Sequence, residues 1–280
     1  MFLQIVELKP HNASYMPNPH SHDYYELYFQ LAGCDRQLFI QDKMYLLPDQ
    51  VLCVIPPFCM HKMDGKTYRR ININISKDLL STEEIAFLDD CAKKIALKLD
   101  DKFLAFLEPL LLESTELYNS NDLNSKRYEL PLIKTIFRFL QKQNFESVNS
   151  VSTTNEKGTT DPLILKLILF INENYQSPID LQMLCNKFFL SKATLCARFK
   201  KMMKCSIMDY LLRLRLSKAR ELLLSHNYSI EEISYLCGFS SSNYFRSSFK
   251  RAIGVSPLHY RKDIRGEKRR QAFNFHADCG

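Results

Sequence analysis

No apolar run in this sequence reaches the ~18 residues that a membrane-spanning helix needs, so no membrane partner is expected. The opening residues, MFLQIVELKPHN, lack the basic start and long apolar stretch of a signal peptide, and the expected location is the cytoplasm. Nine cysteines are present, but there is no C-x-x-C pair and the number is odd. A disulfide framework is therefore not expected, and free thiols in a reducing compartment fit better. Glycine is scarce, at seven residues of 280. What remains is ordinary for a globular chain: 46% hydrophobic and 25% charged residues, in a length that accommodates two domains with a core each.

Charge is unevenly placed. Residues 161–280 carry 20 Lys and Arg against 10 Asp and Glu, a net of +10, whereas the first 160 carry 18 against 21, a net of −3. A basic second half on a mildly acidic first half points to a polyanion partner for the second half only.

The texture also changes along the chain. Up to about Ile75 the segments YYELYFQLAG, RQLFI, KMYLL, QVLCVIPP and RRININI are strand-length, rich in β-branched and aromatic residues and separated by turn signals. They predict an all-β sandwich or small barrel. Ser81-Thr82-Glu83-Glu84 reads as a capping box that opens a helix. Two further helices follow, roughly 100–118 and 125–143, the second with Leu132, Ile133, Ile136, Phe137 and Leu140 at helical spacing. That stripe reads as packed within its own domain, with a dimer surface as the alternative. Residues 144–160 are polar and aperiodic, a linker. The expected organisation is thus a β-rich domain with C-terminal helices over 1–143, the linker, and an all-α domain over 161–280 with a self-contained core.

The α-helical half repeats itself. Leu181, Leu184 and Leu190 correspond to Ile230, Ile233 and Phe239 at an offset of 49. Leu195, Phe199, Lys200, Ser206 and Tyr210 correspond to Phe245, Phe249, Lys250, Ser256 and Tyr260 at an offset of 50. Each copy reads as helix, tight turn, helix. In the second copy Gly238 supplies a left-handed turn residue and Ser240 an N-cap. The helix after it buries Phe245 and Phe249, and its outer face shows Asn243, Arg246, Ser247 and Lys250, with Ser242 at its start. That polar face suits base edges and phosphates in a major groove. The first copy buries Leu195 and Phe199, and its outer face is Lys192, Ala193, Cys196, Ala197 and Lys200. Two alanines and a cysteine can touch thymine methyls but cannot make bidentate hydrogen bonds.

The segment from Pro162 to Arg265 resembles the DNA-binding domain of the AraC/XylS family of transcription regulators. The resemblance rests on YLLRLRLSKARELLL and above all on ISYLCGFSSSNYFRSSFKRAIGVSPLHYR, where Gly238-Phe239, Tyr244-Phe245, Phe249-Lys250, Gly254, Ser256-Pro257 and Tyr260-Arg261 match the family pattern. It implies two recognition helices joined by a linker helix of about 206–224, entering successive major grooves of double-stranded DNA, with RNA polymerase as a further partner and activation as the usual outcome. The first copy departs from the pattern. The family's turn glycine falls at Phe189, and the glycine closing the recognition helix falls at Lys204.

In the first half, His20-x-His22-x-x-x-Glu26 followed by Gly33 resembles the first cupin motif, and QVLCVIPPFCMH, ending at His61, resembles the second. Three imidazoles and a carboxylate are chemically able to hold a divalent metal. However, the second motif's glycines are replaced by Gln50 and Phe58, its asparagine position is Gly65, and sensory domains of the resembled family usually hold no metal. The expectation is therefore a pocket lined by His20, His22, Tyr24, Glu26 and His61, with no metal and no cofactor. Tyr68-Arg69-Arg70 also resembles the family, and an arginine there is a candidate partner for Glu26 or for an anionic ligand.

Together these readings predict a cytoplasmic, homodimeric transcription regulator without catalytic residues, responsive to a small-molecule effector of unknown identity. The alternatives are a metal-binding cupin enzyme fused to a DNA-binding domain, and a regulator without effector, controlled by abundance or thiol oxidation.

Overall fold

A computed structural model of the chain describes residues 2–8, 18–33, 36–40, 43–64, 68–147, 161–225 and 227–262. Gly65, the tail after Lys262 and most of the 144–160 segment lie outside them.

Eight strands form two antiparallel sheets: β1 (Leu3–Leu8), β2 (Tyr25–Gly33), β3 (Arg36–Ile40), β4 (Lys43–Leu47), β5 (Val51–Ile55), β6 (His61–Asp64), β7 (Tyr68–Ile75) and β8 (Ala96–Lys98). One sheet has the order β1-β7-β2-β5-β8 and the other β4-β3-β6. The described strands thus make a two-sheet stack, and their hydrogen bonds do not close into a single barrel as the sequence reading allowed. Strand β2 shows why its sequence is apolar almost throughout: alternate residues serve different layers. Leu27 and Phe29 join a core shared with the helices behind the five-stranded sheet, while Tyr28 packs between the sheets with Leu38, Ile40 and Cys53.

Three helices cover the outer face of the larger sheet: α1 (Thr82–Lys94), α2 (Asp101–Asn119) and α3 (Leu123–Gln141). The Ser81–Glu84 capping box is present, with Ser81 N–H donating to Glu84 Oε2 at 2.7 Å and Glu84 N–H to Ser81 Oγ at 3.2 Å. On α3, Ile133, Ile136, Phe137 and Leu140 are buried in the domain's own core. Phe106, Leu123 and Tyr128 stay exposed on α2 and α3. Immediately after α3 the chain still belongs to this layer: Phe145 packs on the core, and Lys98 N–H donates to Glu146 O at 3.0 Å.

The second half is helical: α4 (Pro162–Asn174), α5 (Leu181–Phe188), α6 (Lys192–Met203), α7 (Ile207–Ser225), α8 (Ile230–Leu236), α9 (Ser242–Ile253) and α10 (Pro257–Lys262). Asp161 caps α4, whose first residue is proline, where the missing N–H costs nothing. The repeat appears as two helix-turn-helix units, α5–α6 and α8–α9, on either end of α7.

Their cores differ from expectation in one respect. The second unit buries Ile233, Phe245, Phe249 and Tyr260 among residues of the helical half alone. The first unit buries Leu184, Leu195, Phe199 and Met203 together with Phe39 and Met60 from the β-sheet half. The helical half is therefore not self-contained. Helical periodicity reveals which side of α6 is buried, but not that residues some 150 positions earlier complete the cover.

Candidate functional site

Each recognition helix is positioned by local chemistry at its start and end. Helix α6 is capped by Ser191, which accepts from Thr194 N–H, and α9 by Ser241, which accepts from Tyr244 N–H. The cap of α9 is thus one residue later than Ser240. The turn positions are left-handed in both units: φ is +54° at Phe189 and +61° at Lys204 in the first, +76° at Gly238 and +87° at Gly254 in the second. The first unit keeps the turn geometry although its residues carry a Cβ. The same holds at Gln50 (φ +57°) and Phe58 (φ +62°) in the β half.

The anticipated outer faces are uncovered. Lys192, Ala193, Ala197 and Lys200 on α6 are exposed, as are Asn243, Arg246, Ser247 and Lys250 on α9, while Cys196 and Ser242 are half-buried. Arg246 is ion-paired with Glu231 of α8, and Ser247 Oγ donates to Tyr244 O at 3.0 Å. Reaching a base edge therefore requires Arg246 to leave or share Glu231. On α6, Arg198 is committed to Asp161 through two hydrogen bonds of 2.6 Å. Thr194 and Tyr244, both exposed on the first turns of these helices, were not singled out from sequence. Tyr244 stands beside Phe245, whose burial the helical spacing predicted, and the structure leaves the tyrosine exposed.

The two units are held to each other by a corner of main chain after α4. Arg215 of α7 donates to Tyr175 O at 2.7 Å and to Ser177 O at 2.9 Å. At Gly238 a Cβ would lie 2.6 Å from the carbonyl oxygens of both Tyr175 and Gln176, so this position excludes any side chain on contact as well as on φ.

In the β half, His20, His22, Glu26 and His61 converge, with Tyr24 stacked on His22 at 4.0 Å between ring centroids. A β-bridge between His20 and His61 joins the two segments. Glu26 Oε2 lies 3.1 Å from His22 Nε2 and 3.3 Å from His61 Nε2, and its other oxygen accepts from Asn72. Burial, reinforced by the neighbouring rings, pushes His20 well below the ordinary imidazole value, and burial lowers His22 despite its bond to Glu26. Burial pushes Glu26 upward, but hydrogen bonds and charge from His22 and His61 prevail and hold it well below the usual carboxylate range. The arginines expected near Glu26 are elsewhere. Arg69 pairs with Glu7 and Glu108, and Arg70 lies over the Tyr28 ring at 5.1 Å. The seven described cysteines are free.

The same segments touch the helical half. Arg220 of α7 donates to Ser21 O at 3.1 Å and pairs with Asp23 at 3.6 Å, Ser217 Oγ donates to Phe58 O at 2.8 Å, and Lys62 Nζ donates to Met202 O at 2.7 Å. Tyr260 OH donates to Asp23 at 3.0 Å. The cleft at this junction, lined by His20, Ser21, Arg213, Leu216, Ser217, Arg220 and Ile253, has room for about one water molecule. None of these contacts was legible in the sequence.

Comparison with known proteins matches residues 184–263 to a family described as a helix-turn-helix domain. The HTH-type transcriptional regulator GbdR of Pseudomonas aeruginosa is 30% identical over 125 residues, covering 45% of this chain and 34% of GbdR. The match thus spans about a third of that relative's length. The HTH-type transcriptional activator RhaS of Escherichia coli is 25% identical over 259 residues, covering 88% of this chain and 86% of RhaS. Among solved structures, the DNA-binding domain of AdpA, a global transcriptional factor in complex with a target DNA, aligns with 38% of this chain and 95% of that domain at 29% identity and a TM-score of 0.36.

Proposed function

We propose that the chain is a transcription regulator of the AraC/XylS type, as its helix-turn-helix match and its similarity to RhaS support, and that it binds double-stranded DNA sequence-specifically through α6 and α9. The observation that carries this reading is the pair of uncovered, partly basic helix faces held at opposite ends of α7. In it, Asn243 and Arg246 read base edges, Lys200 and Lys250 hold phosphates, Lys192, Ser242 and Ser247 support them, and Ala193, Cys196 and Ala197 make apolar contact. Its relatives are regulators and not enzymes, so the fused-enzyme alternative is set aside.

We further propose a division into a sensory and dimerisation domain over 1–143, a linker over 144–160, whose first residues Phe145 and Glu146 still pack on that domain, and the DNA-binding domain over 161–280. The sensory half is cupin-like, and an effector acting near His20, His22, Tyr24, Glu26 and His61 changes how the helical half is presented. A homodimer through α2 and α3 is supported by the exposed Phe106, Leu123 and Tyr128. In the cytoplasm, such a dimer on its operator acts as an activator through contact with RNA polymerase.

Selection of binding sites from a random DNA library with the full chain tests the proposal. Enrichment of a defined motif, bound with an affinity that falls steeply with salt, is expected. No enrichment by folded protein would falsify it.

A further inference from the structure

Two arginines on the recognition helices stand beside a carboxylate, and the two pairs differ in kind. Arg198 of α6 gives both Nε and Nη2 to Asp161, and the same carboxylate caps α4 by accepting from the N–H groups of Leu163 and Ile164. Arg198 is thus spent on fastening α4 to α6. Arg246 of α9 is bonded through Nη2 alone, among the described residues, and its partner is Glu231 of α8. The cap of α8 does not need that carboxylate. Ser229 and Glu232 close the capping box between them, with Ser229 N–H donating to Glu232 Oε2 at 2.6 Å. Glu231 shares the first turn with Glu232 but reaches across to the recognition helix.

Both side chains are about half exposed, at 49% for Arg246 and 60% for Glu231, and exposed ion pairs add little to folding. Folding stability is therefore a minor part of what this pair does. The duplicated unit supplies a control. By the offsets of the repeat, Glu231 corresponds to Gln182 and Arg246 to Cys196. Gln182 turns instead to Asn186 of its own helix, at 3.1 Å. Acid and base are present together in the unit with the polar reading face and absent together from the other.

A carboxylate on a face offered to DNA repels phosphates, so Glu231 carries a cost there. Control of the guanidinium offsets that cost. A free arginine reaches any nearby phosphate, and such a contact carries no sequence information. Glu231 competes for that contact and neutralises the charge that would make it. The guanidinium has five N–H donors in a fixed planar fork, so a carboxylate on Nη2 leaves others free to donate. Guanine presents two acceptors, O6 and N7, that such a fork matches. Exclusion of water from the interface strengthens both sets of bonds. Glu231 thus opposes contact with phosphate and supports contact with guanine, while Lys192, Lys200 and Lys250 remain exposed for phosphates.

We propose, on the DNA-binding reading above, that Glu231 is a positioning residue for base recognition. It holds Arg246 off the phosphates and presents it to a guanine, and so sets the base preference of the second unit.

Sites are selected from a random DNA library with wild type, Glu231→Gln, Glu231→Ala, Arg246→Ala and the double variant Glu231→Gln/Arg246→Ala. All are full-length chains whose folding is checked by circular dichroism. Wild type is expected to select a guanine at a position that Arg246→Ala ceases to specify. In the Glu231 variants the preference for that guanine should fall at least about fivefold. Their binding to an unrelated duplex should strengthen, with a salt slope steeper by about 0.9, because Arg246 gains a phosphate. Once Arg246 is replaced, Glu231→Gln should no longer alter base preference or salt slope.

A guanine preference that folded Glu231 variants keep, or that Arg246→Ala does not remove, overturns the proposal. Tighter binding of all DNA with that preference intact reduces Glu231 to a general repeller of phosphate. A change of preference that persists without Arg246 overturns the proposal equally. Folded wild type that selects no motif at all counts instead against the DNA-binding reading, and the role of Glu231 falls with it.

Discussion

The two helix-turn-helix units descend from one pattern but stand in different surroundings. The second turns on glycine at both ends of its recognition helix, fills its core from the helical half and presents Asn243 and Arg246. The first turns on Phe189 and Lys204, completes its core with Phe39 and Met60 of the β half and presents two alanines and a cysteine. On the proposed reading the second unit carries the base-discriminating side chains, and both units touch the N-terminal half, the first through its apolar core and the second through the hydroxyl of Tyr260. A duplicated fold can thus divide labour without changing its backbone.

Phe39→Ala gives the largest test of that difference. Phe39 is 1% exposed, and its truncation is expected to cost about 3–5 kcal/mol. Hydrogen exchange should accelerate in α6 and leave α9 unaffected. Equal acceleration in both helices would abolish the distinction between a unit whose apolar core reaches into the β half and one whose core does not. Gly238→Ala comes next, at about 2–3 kcal/mol, because it combines left-handed strain with a backbone clash. Its cost is read from denaturant unfolding of the full chain, and a loss under ~0.5 kcal/mol would mean that the corner yields.

Arg246→Ala should relax sequence preference at one or two base pairs by about 1–3 kcal/mol each. Site selection yielding the wild-type motif would reduce Arg246 to a phosphate contact. In the first unit, Phe189→Gly should have the opposite sign to Gly238→Ala. Phe189 is 92% exposed with φ +54°, so little packing is lost and strain is relieved. A net gain of about 0.5–1 kcal/mol remains after the added freedom of the unfolded chain. A drop in stability would show that the ring is needed where it stands. At the small end, Lys200→Ala and Lys250→Ala should each lower the salt slope of DNA binding by about 0.9, whereas Cys196→Ala should leave affinity nearly unchanged. A strong effect at Cys196 would move base reading into the first unit.

The elements themselves were legible because each carries a local signature: the Ser81 capping box, the strand-length aromatic run around Tyr28, the paired Phe245 and Phe249. The outward faces of α6 and α9 followed from the same periodicity. What the sequence hid was long-range. Ser217 and Arg220 sit at polar positions of an amphipathic helix, and nothing within α7 distinguishes a solvated serine from one bound to Phe58 O. The pairing of Arg246 with Glu231 was equally hidden, since the two belong to different helices. At Phe189 and Lys204 the missing glycines pointed away from the turn geometry that the chain nonetheless adopts. Residue preference there is worth only ~1–2 kcal/mol, less than the packing of Leu195 and Phe199 in the same unit's core at roughly 1.5–3 kcal/mol each.

The corner at Tyr175, Gln176 and Ser177 has a consequence for operator architecture. Arg215 grips it from α7 and the second unit leans on it through Gly238, so the gap between α6 and α9 behaves as a caliper with a locked screw. Inserting one base pair between the two half-sites moves the far one by about 3.4 Å and swings it by about 34° around the duplex axis. A locked caliper cannot follow that rotation, so such an operator should engage one helix at a time. On the proposed DNA-binding reading, helical phase joins base sequence in what the chain selects, and a stretch of main chain does the selecting.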